Sequence, residues 1–144
     1  MILRPARPDD VPALIRICLD ARASAGIPNL HTDAENVAFF SRLTSTRSTM
    51  VAETAGSPVG FAVVHDGWLE HLWIAPDHHR QGIGARLLAW ARAEAAGDLR
   101  LYVFAHNVRA IAFYKAHGAA QIAASDGEGN EEKLPDLTLL IRRA

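Results

Sequence analysis

The amino-acid sequence predicts an α/β domain organised on a mixed, mostly antiparallel sheet, and three observations predict it. Apolar runs at Thr49 to Glu53, Val59 to His65 and Leu69 to Ala75 follow one another across turn residues, which makes an antiparallel meander. The last run leads through a glycine-containing loop into a helix and then into LRLYVF, Leu99 to Phe104. A right-handed crossover of that kind sets its two strands parallel. Elsewhere apolar residues recur at helical spacing. The 144 residues suit a single domain, 1–144, with a core of its own.

Ile2 to Arg4 reads as an edge or near-edge strand, and Pro5 to Asp10 turns the chain. Asp10 can cap a helix whose first turn tolerates Pro12, with Val11, Leu14, Ile15 and Cys18 on one face. Ala25 to Leu30 is a loop by its Gly, Pro and Asn content. Thr32 and Glu35 are spaced as a capping box for a second helix, with Val37, Phe40 and Leu43 inward. The turn AGSPVG reads as a hairpin with a Gly-Ser-Pro loop, and Asp66-Gly67 is a tight-turn dipeptide feeding the next strand at Trp68. The helix after the glycine loop carries Ile83, Leu87 and Ala91 on one face and ends near Gly97-Asp98. Asn107 is a good N-cap and Gly118 a natural residue just past the end of the following helix. SDGEGNEEKLPD, Ser125 to Asp136, is an acidic loop before the strand Leu137 to Ile141.

Apolar residues at 49% and charged residues at 22% are the balance of an ordinary globular protein, so extended disorder is excluded. A formal net charge of −1 supplies no field for nucleic acid or an anionic membrane, so neither is expected as a partner. No apolar run is long enough to span a bilayer, and the opening MILRPARPDD lacks the apolar centre of a secretory leader. The lone Cys18 precludes an internal disulfide and fits a reducing cytoplasm. Arginine and alanine richness is associated with GC-rich bacterial genomes. His71, His78, His79 and His106 lack the spacing of a metal site, so no metal is expected.

The chemistry concentrates in LEHLWIAPDHHRQGIGARLL, Leu69 to Leu88. Strand, glycine loop and helix start together form an anion site, because the first helical amides lack partners and the helix dipole is positive there. Arg80 adds a permanent charge. The stretch lacks the Gly-Lys-Ser/Thr of a P-loop, and Leu87 stands where a dinucleotide fingerprint needs its third small residue. What Leu72-Trp73-Ile74, Pro76, His79-Arg80-Gln81-Gly82-Ile83-Gly84 and Leu87-Leu88 do resemble is motif A of the GNAT (Gcn5-related) N-acetyltransferases. His79 departs from the usual Gln or Arg. Asn107, Ala110, Phe113-Tyr114 and Gly118 resemble the same family's motif B, with Ala119 in place of a final Phe.

The resemblance implies the GNAT fold, about six to seven strands flanked by about four helices. It implies acetyl-CoA as cosubstrate, its pyrophosphate on the loop from His79 to Ala85 and its pantetheine arm along Leu72, Trp73 and Ile74. Asn107, Ala110, Phe113 and Tyr114 join that coenzyme set. Tyr114 becomes the general acid, since a phenol stays protonated at neutral pH and can donate to a departing thiolate. Glu70 is the leading general base, with His71, His65 or water open as alternatives. Ile27, Pro28, Leu30, Phe39 and Phe40, from the segment joining the first two helices, become candidates for acceptor contact. The expected activity is acetyl transfer to a primary amine of a small or amino-acid-like molecule. A peptide or protein N-terminus, or a non-catalytic acyl-CoA-binding module, are the alternatives. The resemblance also admits a homodimer.

Overall fold

The computed structural model describes residues 1–143. Its elements run β1 (Ile2–Pro5), α1 (Val11–Ser24), α2 (Asp33–Thr46), β2 (Ser48–Thr54), β3 (Ser57–His65), β4 (Trp68–Ile74), α3 (Ile83–Ala95), β5 (Leu99–Phe104), α4 (Val108–Ala116), β6 (Ala119–Ser125) and β7 (Asp136–Ile141). Short 3₁₀ turns at Pro8–Asp10 and Pro76–His78 lead into α1 and out of β4. The strands form one seven-stranded sheet in the order β1-β2-β3-β4-β5-β7-β6. Every neighbouring pair is antiparallel except β4 and β5, the two strands joined by the α3 crossover. The expected α/β architecture and the parallel pair are both present.

The hairpins show how local chemistry sets the register. Asp66 and Gly67 both have positive φ, 51° and 80°, as a two-residue turn between twisted strands requires. Ala55 and Gly56 do the same at 51° and 80°, so the β2–β3 turn is Ala55-Gly56 and not the expected Gly-Ser-Pro loop. Ser57 and Pro58 instead open β3, with Pro58 opposite Glu53 beside a register shift at Ala52/Glu53. A bulge is where a strand tolerates a residue lacking an N–H.

Both faces of the sheet are covered. On one, Leu87, Leu88 and Ala91 of α3 pack on Ala62, Leu99, Leu101, Leu139 and Ile141. On the other, Leu14, Ile17 and Cys18 of α1 and Phe40 and Leu43 of α2 pack on Val51, Phe61 and Val63. Strand β3 is therefore buried on both sides from Val59 to Val64. Thr32 and Glu35 form the expected capping box. Val37, expected inward, is 50% exposed, and Asn36 is buried in its place.

Asp10 does not cap α1 with its side chain. Both its oxygens accept from Arg4 at 2.8 Å and one also accepts from the Arg7 amide at 2.7 Å, while Arg4 Nε donates to Glu53 at 3.3 Å. The Arg4 guanidinium holds the Asp10 carboxyl below the usual carboxylate range. A depressed acid stabilises the fold above its unfolded value, near 3.9, and that contribution is lost as pH falls through the folded value. Arg4→Met strands a buried carboxylate and should cost on the order of 3 kcal/mol at pH 7. Denaturant titration at pH 7 and below pH 4 checks this, since the deficit should shrink once Asp10 is protonated.

Candidate active site

Strands β4 and β5 pair only at Trp68 opposite Arg100, leaving a gap in the ladder that runs on to Ile74. The backbone facing that gap follows from the β3–β4 register. The Ala75 amide donates to the Val59 carbonyl at 2.8 Å, so in an antiparallel ladder Phe61–Trp73 and Val63–His71 are the pairs that exchange both bonds. Gly60–Ile74 and Ala62–Leu72 are not, and the main-chain groups of Leu72 and Ile74 turn to the gap. Trp73, grouped with them in the sequence reading, is turned the other way: its backbone belongs to β3.

The same gap runs up to the N-terminus of α3. Gly82 caps that helix in the left-handed region, φ 78°, and offers no side chain to its amides. The first intrahelical bond runs from Arg86 N to Gly82 O, so the N–H groups of Ile83, Gly84 and Ala85 have no helical partner. A Cβ built on Gly82 would meet nothing within 4 Å, whereas one on Gly84 would lie 3.3 Å from the Phe113 ring. Gly82 therefore borders open space, while Gly84 lets α3 close on α4. Arg80, at φ 64°, and Gln81 are exposed on the rim. His79 does more than lend its backbone. Its Nε2 bonds the Ile74 carbonyl at 3.2 Å and its Nδ1 meets Arg109 Nη1 at 3.2 Å, tying β4 to α4.

From α4, Asn107 accepts a bond from the Ala110 amide at 3.4 Å, so it is the helix cap; its amide nitrogen is left to other partners. Tyr114 is 8% exposed and packs in the α3-side core. Burial pushes its phenol well above the usual tyrosine range, so it holds its proton throughout the neutral range.

The three candidate bases separate. The β3–β4 ladder pairs Val63 with His71 and Val64 with Leu69, which leaves Glu70 as the extra residue of a bulge. Glu70 is exposed and accepts from Arg47 Nε at 3.1 Å. The bulge puts His71 on the α1/α2 face, its ring centroid 5.8–6.2 Å from those of Phe39, Phe40 and Phe61. Burial, then the nearby Arg22 charge, pushes His71 down to about 4. Trp73 Nε1 donates to His71 Nδ1 at 3.0 Å, so the neutral ring carries its hydrogen on Nε2 and has no free lone pair for a proton. His65 pairs with Asp66 at 3.1 Å, at the closed end of β4, away from the gap. A depressed histidine favours folding above its unfolded value, near 6.5, and that stability is lost as pH falls towards 4. His71→Phe should flatten the wild-type loss of stability between pH 6.5 and 4, read by thermal melts.

The sequence profile of the acetyltransferase (GNAT) family matches residues 14–119. The chain belongs to the GNAT family. No curated protein matches it significantly. The solved structure of apo YjaB from Escherichia coli superposes with TM-score 0.76 at 23% identity, covering 100% of both chains. YncA from Salmonella typhimurium, solved with its cofactor acetyl-CoA, gives TM-score 0.78 at 18% identity over 100% of this chain and 94% of that one. The ribosomal-protein-alanine N-acetyltransferase of Brucella melitensis gives TM-score 0.78 at 25% identity over 99% of each.

On the α1/α2 face of this GNAT chain, three loops meet beside the gap. Arg22 Nη2 donates to Glu132 at 2.8 Å and to the Pro28 carbonyl at 3.2 Å, and the guanidinium stands 5.9 Å from the centre of the Trp73 ring. His31 pairs with Glu131 at 2.8 Å, and His106 bonds the Ala25 carbonyl at 2.9 Å. The acidic loop is thus latched to the α1–α2 loop. Of the residues expected to contact an acceptor, Ile27 and Phe40 are buried, while Leu30 and Phe39 are 51% and 48% exposed. Arg22 carried no local signal, since its partner Glu132 lies 110 residues away. Asn36 is also new: its Nδ2 is the buried side-chain polar atom without a partner among the described residues. Among those residues no helix is long and apolar enough to cross a membrane.

Proposed function

We propose that this GNAT protein transfers an acetyl group from acetyl-CoA to a primary amine of a small molecule, the amine attacking the thioester directly. The observation that carries the reading is the continuity of two sets of free backbone groups: those of Leu72 and the Ile74 N–H along the gap, and the amides of Ile83, Gly84 and Ala85 at its head. The amides and Arg80 suit a pyrophosphate. Strand-like bonding from Leu72 and the Ile74 N–H suits an amide-containing pantetheine arm, with Asn107, Ala110 and Phe113 along its other side.

The coenzyme supplies an acetyl group already activated as a thioester. A free N–H of Leu72 or Ile74 polarises its carbonyl, one preorganised donor at the place where charge develops. Glu70 takes the first proton of the incoming ammonium through water; as the carbon–nitrogen bond forms and the carbon–sulfur bond breaks, Tyr114 gives its proton to the sulfur, and the second proton released by the nitrogen passes through water to restore the phenol. His71, neutral and pinned by Trp73, orients the neighbouring wall. Thiol release from acetyl-CoA against a panel of amines tests the reading. Glu70→Gln should lower kcat about a hundredfold with the coenzyme KM unchanged. Coenzyme binding without turnover on any amine would favour a binding module instead. The likeness to a ribosomal-protein-alanine N-acetyltransferase favours a peptide N-terminus as the second reading, and short peptides in the same panel decide it.

A further inference from the structure

Beside the gap lies a cavity of about 560 Å³ whose lining includes Arg22, Tyr102, Phe104, Ser125, Glu132 and Asp136. That volume is in the range of small-molecule sites. Its floor is the part of the sheet that α1 and α2 do not reach. The register lines up Tyr102, Thr138 and Ala123 in one row and Phe104, Asp136 and Ser125 in the next, so each row shares a face. Tyr102 is 65% exposed and stacks on Trp68, with ring centroids 4.7 Å apart. An open aromatic pair of this kind is an apolar platform for a ligand's body.

The charges in the cavity do not cancel. Arg22 neutralises Glu132 at 2.8 Å. Glu131, outside the lining, is taken by His31. Asp136 has only neutral donors, the Ser125 hydroxyl at 2.8 Å and Asn130 Nδ2 at 3.2 Å, and among the described residues it forms no ion pair. Those two bonds fix a partly buried carboxylate without compensating it, in a wall that already excludes part of the solvent. Asp136 is opposite Phe104, one strand further from the gap than β5. With about 5 Å between strands and a similar reach into the gap, the carboxylate lies about 10 Å from where a reacting amine must stand.

Resting on the acetyl-transfer reading above, we propose that the acceptor carries a second cationic group, held by Asp136 while its first amine enters the gap across Phe104, with the Tyr102–Trp68 pair walling one side. The substrate class is a diamine or polyamine with an unbranched apolar spacer. Asp136 is then a specificity determinant and takes no part in the chemistry.

Three chain-matched probes test this: 1,5-diaminopentane, pentylamine and 5-aminopentanoate, in the thiol-release assay, with acetyl-CoA affinity measured separately by calorimetry. The diamine should exceed both others about tenfold in kcat/KM. Asp136→Asn, which keeps the shape, accepts from Asn130 Nδ2 through its one oxygen and donates to a Ser125 hydroxyl turned acceptor, should erase that advantage through KM, leaving kcat and pentylamine turnover unchanged. Loss of acetyl-CoA binding by the wild-type protein would overturn the acetyl-transfer reading itself. Intact coenzyme binding with the diamine no better than pentylamine, or with no turnover of any probe, overturns the second-cation proposal. A preference for 5-aminopentanoate overturns it in favour of Arg22 as a carboxylate anchor, and Asp136→Asn acting equally on all three probes overturns it as a structural effect.

Discussion

Tyr114→Phe should keep its affinity for acetyl-CoA and lose about a hundredfold in kcat, the usual worth of a positioned proton donor. The substitution retains the ring that packs in the α3-side core and removes one oxygen, so the fold should stay within about 1 kcal/mol of wild type. A tyrosine that only packed would give an enzyme of nearly unchanged kcat. The pH profile adds an independent reading. Burial raises the phenol above its ordinary value near 10, so the donor form persists as pH rises, and wild-type kcat should show no falling limb from this group below about pH 10. The sign matters: a solvated tyrosine would begin to lose its proton, and the enzyme its activity, as pH approached 10. Steady-state kinetics from pH 6 to 10, with calorimetry for the coenzyme, covers both points. A Phe variant with kcat within about twofold of wild type would remove Tyr114 from the mechanism.

The sheet was legible because its signals are local. Asp66-Gly67 can make one kind of hairpin, Thr32 and Glu35 one kind of cap, and the strand, loop and helix around Gly82 one kind of crossover. The misread elements share a different cause. Pro58 suggests a turn until a bulge gives it a place in β3, and Asp10 suggests a cap until Arg4 takes both its oxygens. Asn36 would be rejected from an inward face by polarity alone, yet 36, 40 and 43 is the face that packs. The site divides the same way. Gly82 and Tyr114 stand in motifs, but the side on which His71 points depends on the bulge at Glu70. The latching of the acidic loop depends on Arg22 and His31, and no window of sequence contains both ends of those pairs.

Gly82→Ala should weaken acetyl-CoA binding at least tenfold, about 1.4 kcal/mol, while Gly67→Ala should leave it unchanged. The pair is chosen because the two glycines have nearly the same backbone, φ 78° and 80°, at opposite ends of the β4 region. An L-residue in the left-handed region costs about 1–2 kcal/mol, so both variants should lose similar stability in denaturant titration. Only the surroundings differ. A methyl on Gly67 would make an ordinary contact, 3.5 Å from the Asp98 carbonyl, at the closed end of the strand pair. A methyl on Gly82 would enter the open space before the unpartnered amides of Ile83, Gly84 and Ala85, where an anion must approach closely to be held. Strain relieved by rotating Gly82 out of its left-handed conformation would also swing those amides away. Both routes weaken the coenzyme site and neither acts at Gly67. Equal loss of coenzyme affinity in the two variants would trace the effect to general strain, and no loss in Gly82→Ala would mean that the pyrophosphate lies elsewhere.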